Sequence, residues 1–390
     1  MPVPEPDPSP LVIYGPANHD YDFGPEHPFT PRRFGPGMDL LRSVGAAGFV
    51  EPVAADDDAL ATVHGRRFLA DIERLSDYPE MADELAVTDG DTPPFYGMHA
   101  AGATVVGGTL HAMERILAGD RLHAFHPGGG LHHAFPSRAS GFCVFNDVAV
   151  AIRRARDAGH RVLYVDVDVH HGDGVEAIFW DDPLVQTVSI HESGLSLFPG
   201  TGWVEDRGGA GAEGSAVNIP LGPGTSDASW LAVLESVVPA VAAAFRPTIL
   251  VTLNGSDAHA SDPLANLQLT TSAFRRSAHL LDEVAHLYTG GRWLATGGGG
   301  YDVYSAVPRN WAMVWLAQAH LPVPLETPAA WRERWTPEAV RRRVPPPAAL
   351  MLDPDGIAVQ ESQAVAQLNR ATASQALEHT LHILAERHGR

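Results

Sequence analysis

Four short stretches constrain what this chain can fold into: residues 161–169 (RVLYVDVDV), 185–190 (VQTVSI), 247–254 (PTILVTLN) and 292–296 (RWLAT). They are too short for ordinary helices, and their apolar residues run together instead of appearing at every second position. That is the pattern of strands buried on both faces. Between and beside them lie helical segments at 146–158, 230–245 and 271–287. Strands alternating with helices in this way read as an α/β fold, a central parallel sheet covered by helices on both sides. In such sheets the chemistry gathers beyond the carboxyl ends of the strands. Upstream, residues 11–14 read as a first strand, and 39–47, 59–75 and the small-residue run 100–118 as helices. No internal repeat is present.

Charge excludes one large class of function. The 390 residues carry 27 basic against 47 acidic side chains, a formal charge of −20, and every basic residue is Arg. A phosphate backbone repels such a chain, so nucleic-acid binding is excluded as its main activity, and a cationic substrate or partner fits better. The single cysteine, Cys143, excludes a disulfide framework and a Cys-rich zinc finger. No apolar stretch reaches the roughly 18 residues of a membrane span. The opening MPVPEPDPSP has neither the basic nor the apolar region of a secretory signal, so a cytoplasmic location without membrane contact is expected.

Four polar segments stand where strands should end. In HPGGGLHHAF, His132 and His133 are adjacent after a glycine run; neighbours in sequence cannot share a helix face, although two exposed turn histidines are an equally simple reading. The following GFCVFND leads into a helix that Asn146 or Asp147 can cap. In VDVDVHHGDG, a strand continued to Val169 puts Asp166, Asp168 and His170 on one side. Two carboxylates and an imidazole on a buried strand are too costly to desolvate unless a cation compensates them. Oxygen and nitrogen donors without sulfur suit zinc or another borderline divalent metal. In NGSDAHASDP, Asp257 would complete a ligand set with an open position, unless it only caps a turn. In TGGGGYD, four glycines cannot make a P-loop without a Lys; they let the backbone approach the site and present Tyr301, either as a donor to a developing oxyanion or as a core tyrosine.

Taken together and in this order, HPGGGLHHAF, GFCVFND, VDVDVHHGDG, SIHESGLSLFPGTG, NGSDAHASDP and GGGGYD resemble the zinc-dependent histone deacetylase superfamily, in its class I-like bacterial branch with the acetoin utilization deacetylases. The resemblance implies a three-layer arginase/deacetylase-type fold over residues 11–320; the alternating prolines of residues 1–10 read as an extended tail, and 321–390 as a C-terminal extension with a terminal amphipathic helix at 358–388. It implies zinc, or iron(II), on Asp168, His170 and Asp257. His132 and His133 would form the catalytic pair, oriented by Asp166 and Asp173, with Tyr301 polarising the carbonyl. A potassium ion would sit on Asp166, Asp168, His170, Ser189 and Ile190. Phe142 and Phe198 would wall the substrate tunnel with Gly141 and Gly299, Leu264 would line its rim, and Asp91 would hold the substrate backbone. Arg33 would lie on an internal acetate-exit cavity.

The resemblance also departs in places. A second potassium site keeps Phe179 and Val185 but has Asp182 where a hydroxyl residue is usual, and His191-Glu192 has no assigned part. The implied activity is hydrolysis of acetyl, or a short acyl group, from lysine side chains of proteins. Acetylpolyamines or other cationic small amides are the alternative substrate. An arginase-like dimanganese enzyme is disfavoured because the order here is Asp-x-Asp-x-His, and a dead acyl-lysine binding module because His133, Tyr301 and the ligand candidates are all retained. A monomer or homodimer is expected.

Overall fold

In the computed structural model, which describes residues 9–388, seven parallel strands form one sheet. In chain order they are β1 (Leu11–Val12), β2 (His123–His126), β3 (Val162–Asp166), β4 (Val185–Glu192), β5 (Ala216–Leu221), β6 (Ile249–Leu253) and β7 (Trp293–Thr296). Their spatial order is β1-β2-β7-β6-β3-β4-β5. The three-layer α/β architecture expected from the sequence is what is found. Alternate residues of each strand serve opposite layers: Leu163 and Val165 join one buried cluster, Val162 and Tyr164 the other. The first layer holds helices Phe34–Ser43, Asp227–Phe245, Thr271–Thr289 and Ala306–Gln318; the second holds Met98–Leu117, Asp147–Asp157 and Asp173–Phe179. Cover on both sides accounts for the continuous apolar runs of β3 and β6.

Strand order places the chemistry. β2, β7, β6 and β3 are consecutive neighbours, and the loops leaving their carboxyl ends are the four polar segments. Segments up to 170 residues apart in sequence therefore converge.

Several expectations are corrected. β3 ends at Asp166, so Asp168 and His170 are not strand residues. The backbone there leaves the ladder because side chains take over its amides: Asp168 N–H donates to Asp166 Oδ1 at 3.1 Å, Val169 N–H to Asp257 Oδ1 at 3.0 Å and His170 N–H to Asp168 Oδ1 at 3.0 Å. The run at 59–75 divides into Asp57–Leu60 and Arg66–Asp77, with Gly65 as N-cap of the second, and the run at 39–47 begins earlier, as Phe34–Ser43. Strands β2 and β5 carry no apolar run of their own that the sequence marks. Helix Ala306–Gln318 is buried at every position, so it has no amphipathic period to detect.

The 19 residues of helix Asp227–Phe245 do reach the length and apolarity of a membrane span, contrary to the expectation of no such stretch. Trp230, Val233, Leu234, Val237, Val238 and Val241 instead spend that apolarity in the main core.

Residues after 320 share that core as well. Trp331, Met351, Ala373, Ala376 and Leu384 belong to it. Trp331 Nε1–H donates to the Pro36 carbonyl at 2.8 Å, and buried Asn369 receives Gly222 N–H at 3.0 Å while donating to Thr225 at 2.8 Å and Ser229 at 2.9 Å. Of the Pro-rich tail, residues 1–8 lie outside the described residues.

Candidate active site

The site begins with the loop after β2. Its turn is organised by Asp147, fully buried at the first position of its helix, which accepts Gly130 N–H at 3.0 Å, Leu131 N–H at 2.7 Å and the Thr109 hydroxyl at 2.5 Å. Asn146 caps the same helix through Ala149 N–H at 2.9 Å and donates to the His132 and Ala134 carbonyls at 3.2 and 3.0 Å. One Asn-Asp pair thus shapes the loop carrying both histidines. The sequence showed the cap but not this second task.

His132 Nδ1–H donates to Asp166 at 2.7 Å, and His133 Nδ1–H to Asp173 at 2.7 Å. The two rings lie 4.0 Å apart, centre to centre. Burial alone would strip the proton from His132, but Asp166 and Asp168 outweigh it and lift its pKa to about 9. Burial and then the neighbouring His132 cation push His133 down to about 4, against the pull of Asp173. Asp166 also accepts the Tyr164 hydroxyl at 2.5 Å, so the carboxylate behind His132 is itself fixed.

Asp168, His170 and Asp257 come together: their potential ligand atoms all lie within 4.8 Å of one another. All three are buried, and Asp257 Oδ2 makes no hydrogen bond in the protein although it stands 3.2 Å from His170 Nδ1. Two buried carboxylates, one with an orphaned oxygen, facing one imidazole fit a divalent cation. Gly299 N–H anchors Asp168 Oδ2 at 2.7 Å. A Cβ on Gly299 would strike Asp257 Oδ2, and one on Gly255 would strike the Asp168 carboxylate, which explains why glycines stand there.

A tunnel of 230 Å³ leads down to this group, lined by Asp91, His133, Gly141, Phe142, His170, Leu197, Phe198, Leu264 and Tyr301. Of the expected wall and rim residues, Asp91, Gly141, Phe142, Phe198 and Leu264 line it, whereas Gly299 lies deeper, beside Asp168 and Asp257; Leu197 was not anticipated. Phe142 holds a left-handed backbone, φ +70°, which a non-glycine residue adopts only under constraint. Its N–H donates to Thr92 Oγ1 at 3.0 Å and its carbonyl accepts the Tyr21 hydroxyl at 2.7 Å. Asp262 positions the opposite side, accepting Leu264 N–H at 3.0 Å and Tyr301 N–H at 2.8 Å. Burial and then the charges of Asp257 and Asp168 hold the Tyr301 phenol well above its usual pKa, so it remains a proton donor.

Behind the floor, buried Arg33 donates to the Gly298 carbonyl at 2.8 Å and lies 4.2 Å over the Phe29 ring. Burial lowers its pKa to about 10, which still leaves it charged. Asp166 and Ser189 are register partners on β3 and β4, and Ile190 follows, so the five expected potassium residues share one neighbourhood. Asp182 is committed elsewhere: it takes Arg156 at 3.0 and 3.1 Å and Leu184 N–H at 3.0 Å. Glu192 braces the rim through Asn266 N–H at 2.9 Å and Ser196 at 2.8 Å, while buried His191 bonds Ser189 at 2.9 Å and the Gly202 carbonyl at 3.0 Å.

Residues 27–318 match the histone deacetylase domain. The chain belongs to the histone deacetylase family. Among its relatives, the acetoin utilization protein AcuC of Bacillus subtilis (strain 168) is 41% identical over 333 residues, covering 83% of this chain and 86% of its own. AcuC of Staphylococcus xylosus is 36% identical over 335 residues, 84% of this chain and 87% of its own. Two solved structures share the architecture. An HDAC homolog complexed with SAHA superposes with a TM-score of 0.82 at 27% identity, over 94% of this chain and 99% of that one. An HDAC homolog from Aquifex aeolicus gives 0.80 at 26%, over 94% and 100%. This family member is therefore a hydrolytic deacetylase of the AcuC-like branch, acting on an acetylated amide, and the family's divalent metal has a candidate ligand group in Asp168, His170 and Asp257.

Proposed function

We propose that this deacetylase removes acetyl or related short acyl groups from lysine side chains of proteins, with zinc held by Asp168, His170 and Asp257. The observation that carries the reading is the tunnel: aromatic walls Phe142 and Phe198, an acid at the mouth, and His133, Tyr301 and His170 at its foot. An apolar lysine stem suits a passage between two rings, and Asp91 and Leu264 at the rim suit a peptide backbone passing over it. The charge of −20 favours a cationic substrate.

Zinc on this ligand set supplies a Lewis acid and lowers the pKa of water. His133 is neutral, with Nδ1–H committed to Asp173, so its other nitrogen is available to take a proton and return it to the departing amine. His132, cationic on Asp166, places positive charge beside the reacting group, where negative charge develops. The Tyr301 hydroxyl, kept protonated, would donate a hydrogen bond to the substrate carbonyl oxygen and polarise it. Gly141 forms part of the passage wall, Gly299 lies at its floor against Asp168 and Asp257, and Arg33 lines the internal route for acetate. Potassium on Asp166, Asp168, His170, Ser189 and Ile190 would hold the Asp168 loop in place.

A comparison of acetyl-lysine peptide with N-acetylputrescine, with and without a hydroxamate chelator, tests this. Preferential, chelator-blocked turnover of the peptide is expected. Preference for the polyamine would reject the protein substrate while keeping the chemistry, and failure to cleave either would reject both.

A further inference from the structure

The sheet has a second concentration of imidazoles, at the end opposite the tunnel. His123 opens β2, Asp282 and His286 are one turn apart on helix Thr271–Thr289, and His320 follows helix Ala306–Gln318. One potential ligand atom from each of the four lies within 4.8 Å of all the others. Asp282 carboxylate oxygens stand 3.6 Å from His123 Nε2, 3.5 Å from His286 Nε2 and 3.3 Å from His320 Nε2, and the last two nitrogens are 3.2 Å apart. Tetrahedral zinc with its usual bond lengths separates neighbouring donor atoms by roughly 3.4 Å. The spacing of the cluster is that of a coordination shell.

Proton accounting points the same way. His123 Nδ1 faces the Gln318 carbonyl at 2.7 Å, so that nitrogen carries the hydrogen. Its Nε2 is then a bare lone pair, buried, without a hydrogen-bond partner, and aimed at a carboxylate. Two lone pairs facing each other in a buried position are repulsive, and a cation between them removes the conflict. A carbonyl that fixes the tautomer of a ligating histidine is also the usual support of a metal site. His123 is 4% exposed and Asp282 14%, whereas His286 and His320 are 41% and 56% exposed, so the cluster is closed beneath and reachable from solvent.

We infer that His123, Asp282, His286 and His320 form a second metal site, for zinc or a similar borderline divalent cation. Three nitrogens and one oxygen fill a tetrahedron and leave no position for substrate, so the site is structural. It ties the start of β2 to helix Thr271–Thr289 and to the end of helix Ala306–Gln318. The other end of β2 leads directly into the loop with His132 and His133, so the tie secures the base of a functional strand.

The test is a metal count on full-length protein stripped of metal, reloaded with zinc and desalted. Wild type is expected to keep about two zinc ions per chain, and the His286→Ala/His320→Asn variant about one, with deacetylase activity retained. One zinc in wild type, loss of the second on desalting, or two in the variant would overturn the assignment. Should the double variant fail to fold, His286→Ala alone and cobalt(II) spectra of wild type serve instead. The second cobalt equivalent must give tetrahedral absorption bands that His286→Ala alters, and their absence also overturns it.

Discussion

His132 and His133 stand ring against ring at 4.0 Å, each donating Nδ1–H to a different buried carboxylate, and yet their surroundings push their pKa values in opposite directions. The asymmetry has a physical origin. Asp166 and Asp168 together hold the His132 cation, and that cation then opposes a second charge on His133. Two like residues become a fixed positive charge and a proton acceptor.

Replacing His133 by Ala is expected to lower kcat by about 10²–10⁴-fold, the usual worth of a general acid-base group. Tyr301→Phe should cost about 10²–10³-fold, as for one oxyanion donor. Metal analysis of both variants should show the same content as wild type. Full activity in either would remove that residue from the mechanism.

Asp257→Ala should act differently. It removes one of three candidate ligands, so the tunnel-floor metal is expected to bind weakly and turnover to fall with it; a zinc titration followed by activity reads this. Unchanged affinity would show that Asp257 is not a ligand.

Tyr21→Phe should disturb the tunnel from outside. The hydroxyl donates to the Phe142 carbonyl at 2.7 Å and accepts Val144 N–H at 2.9 Å, holding the left-handed Phe142 in place. Leaving two buried groups unpaired costs about 1–3 kcal/mol. Denaturant unfolding should report that loss, and KM should rise as the Phe142 wall loosens.

Acid sensitivity should come partly from His64. Its Nδ1–H donates to the Phe135 carbonyl at 3.0 Å and its Nε2 accepts Asn146 N–H at 2.9 Å, so only the neutral ring fits. Burial lowers its pKa from 6.5 to about 4, against the pull of the Phe135 bond. Between those values the unfolded chain binds a proton that the folded chain refuses. Stability therefore falls as pH drops through that window, by up to about 3 kcal/mol. Equilibrium unfolding between neutral and acid pH measures the slope, which His64→Gln should make shallower.

Asn369→Ala should destabilise the fold by about 1–3 kcal/mol, since it strands Gly222 N–H and removes the donor to the hydroxyls of Thr225 and Ser229 beneath the terminal helix. A lowered denaturant midpoint with turnover retained in the absence of denaturant is the expected result.

The sheet was legible because runs such as VLYV and TILVTL are too short for helices yet continuously apolar, the pattern of strands buried on both faces. β2 was not, being short and flanked by His123 and His126, and neither was β5, whose run is broken by Asn218 and Pro220. The chemistry-bearing residues stood out because buried carboxylates and histidines need compensation wherever they occur. Period-two reasoning nevertheless put Asp168 and His170 on a strand, whereas side-chain hydrogen bonds have already ended the ladder at Asp166. Positioning residues such as Asp147, Asp262 and Tyr21 were hidden for another reason: they act on backbone groups brought near by folding, and nothing local in the sequence marks that.

The most direct measurement is acetate release from an acetyl-lysine peptide by metal-stripped protein, before and after zinc is restored and with a hydroxamate added last. Activity that is absent without metal, returns with zinc in wild type but not in Asp257→Ala, and is blocked by the hydroxamate is the expected result. Undiminished release by the stripped protein, or equal recovery in Asp257→Ala, would contradict the assignment of the tunnel floor as a metal-dependent lysine deacetylase centre.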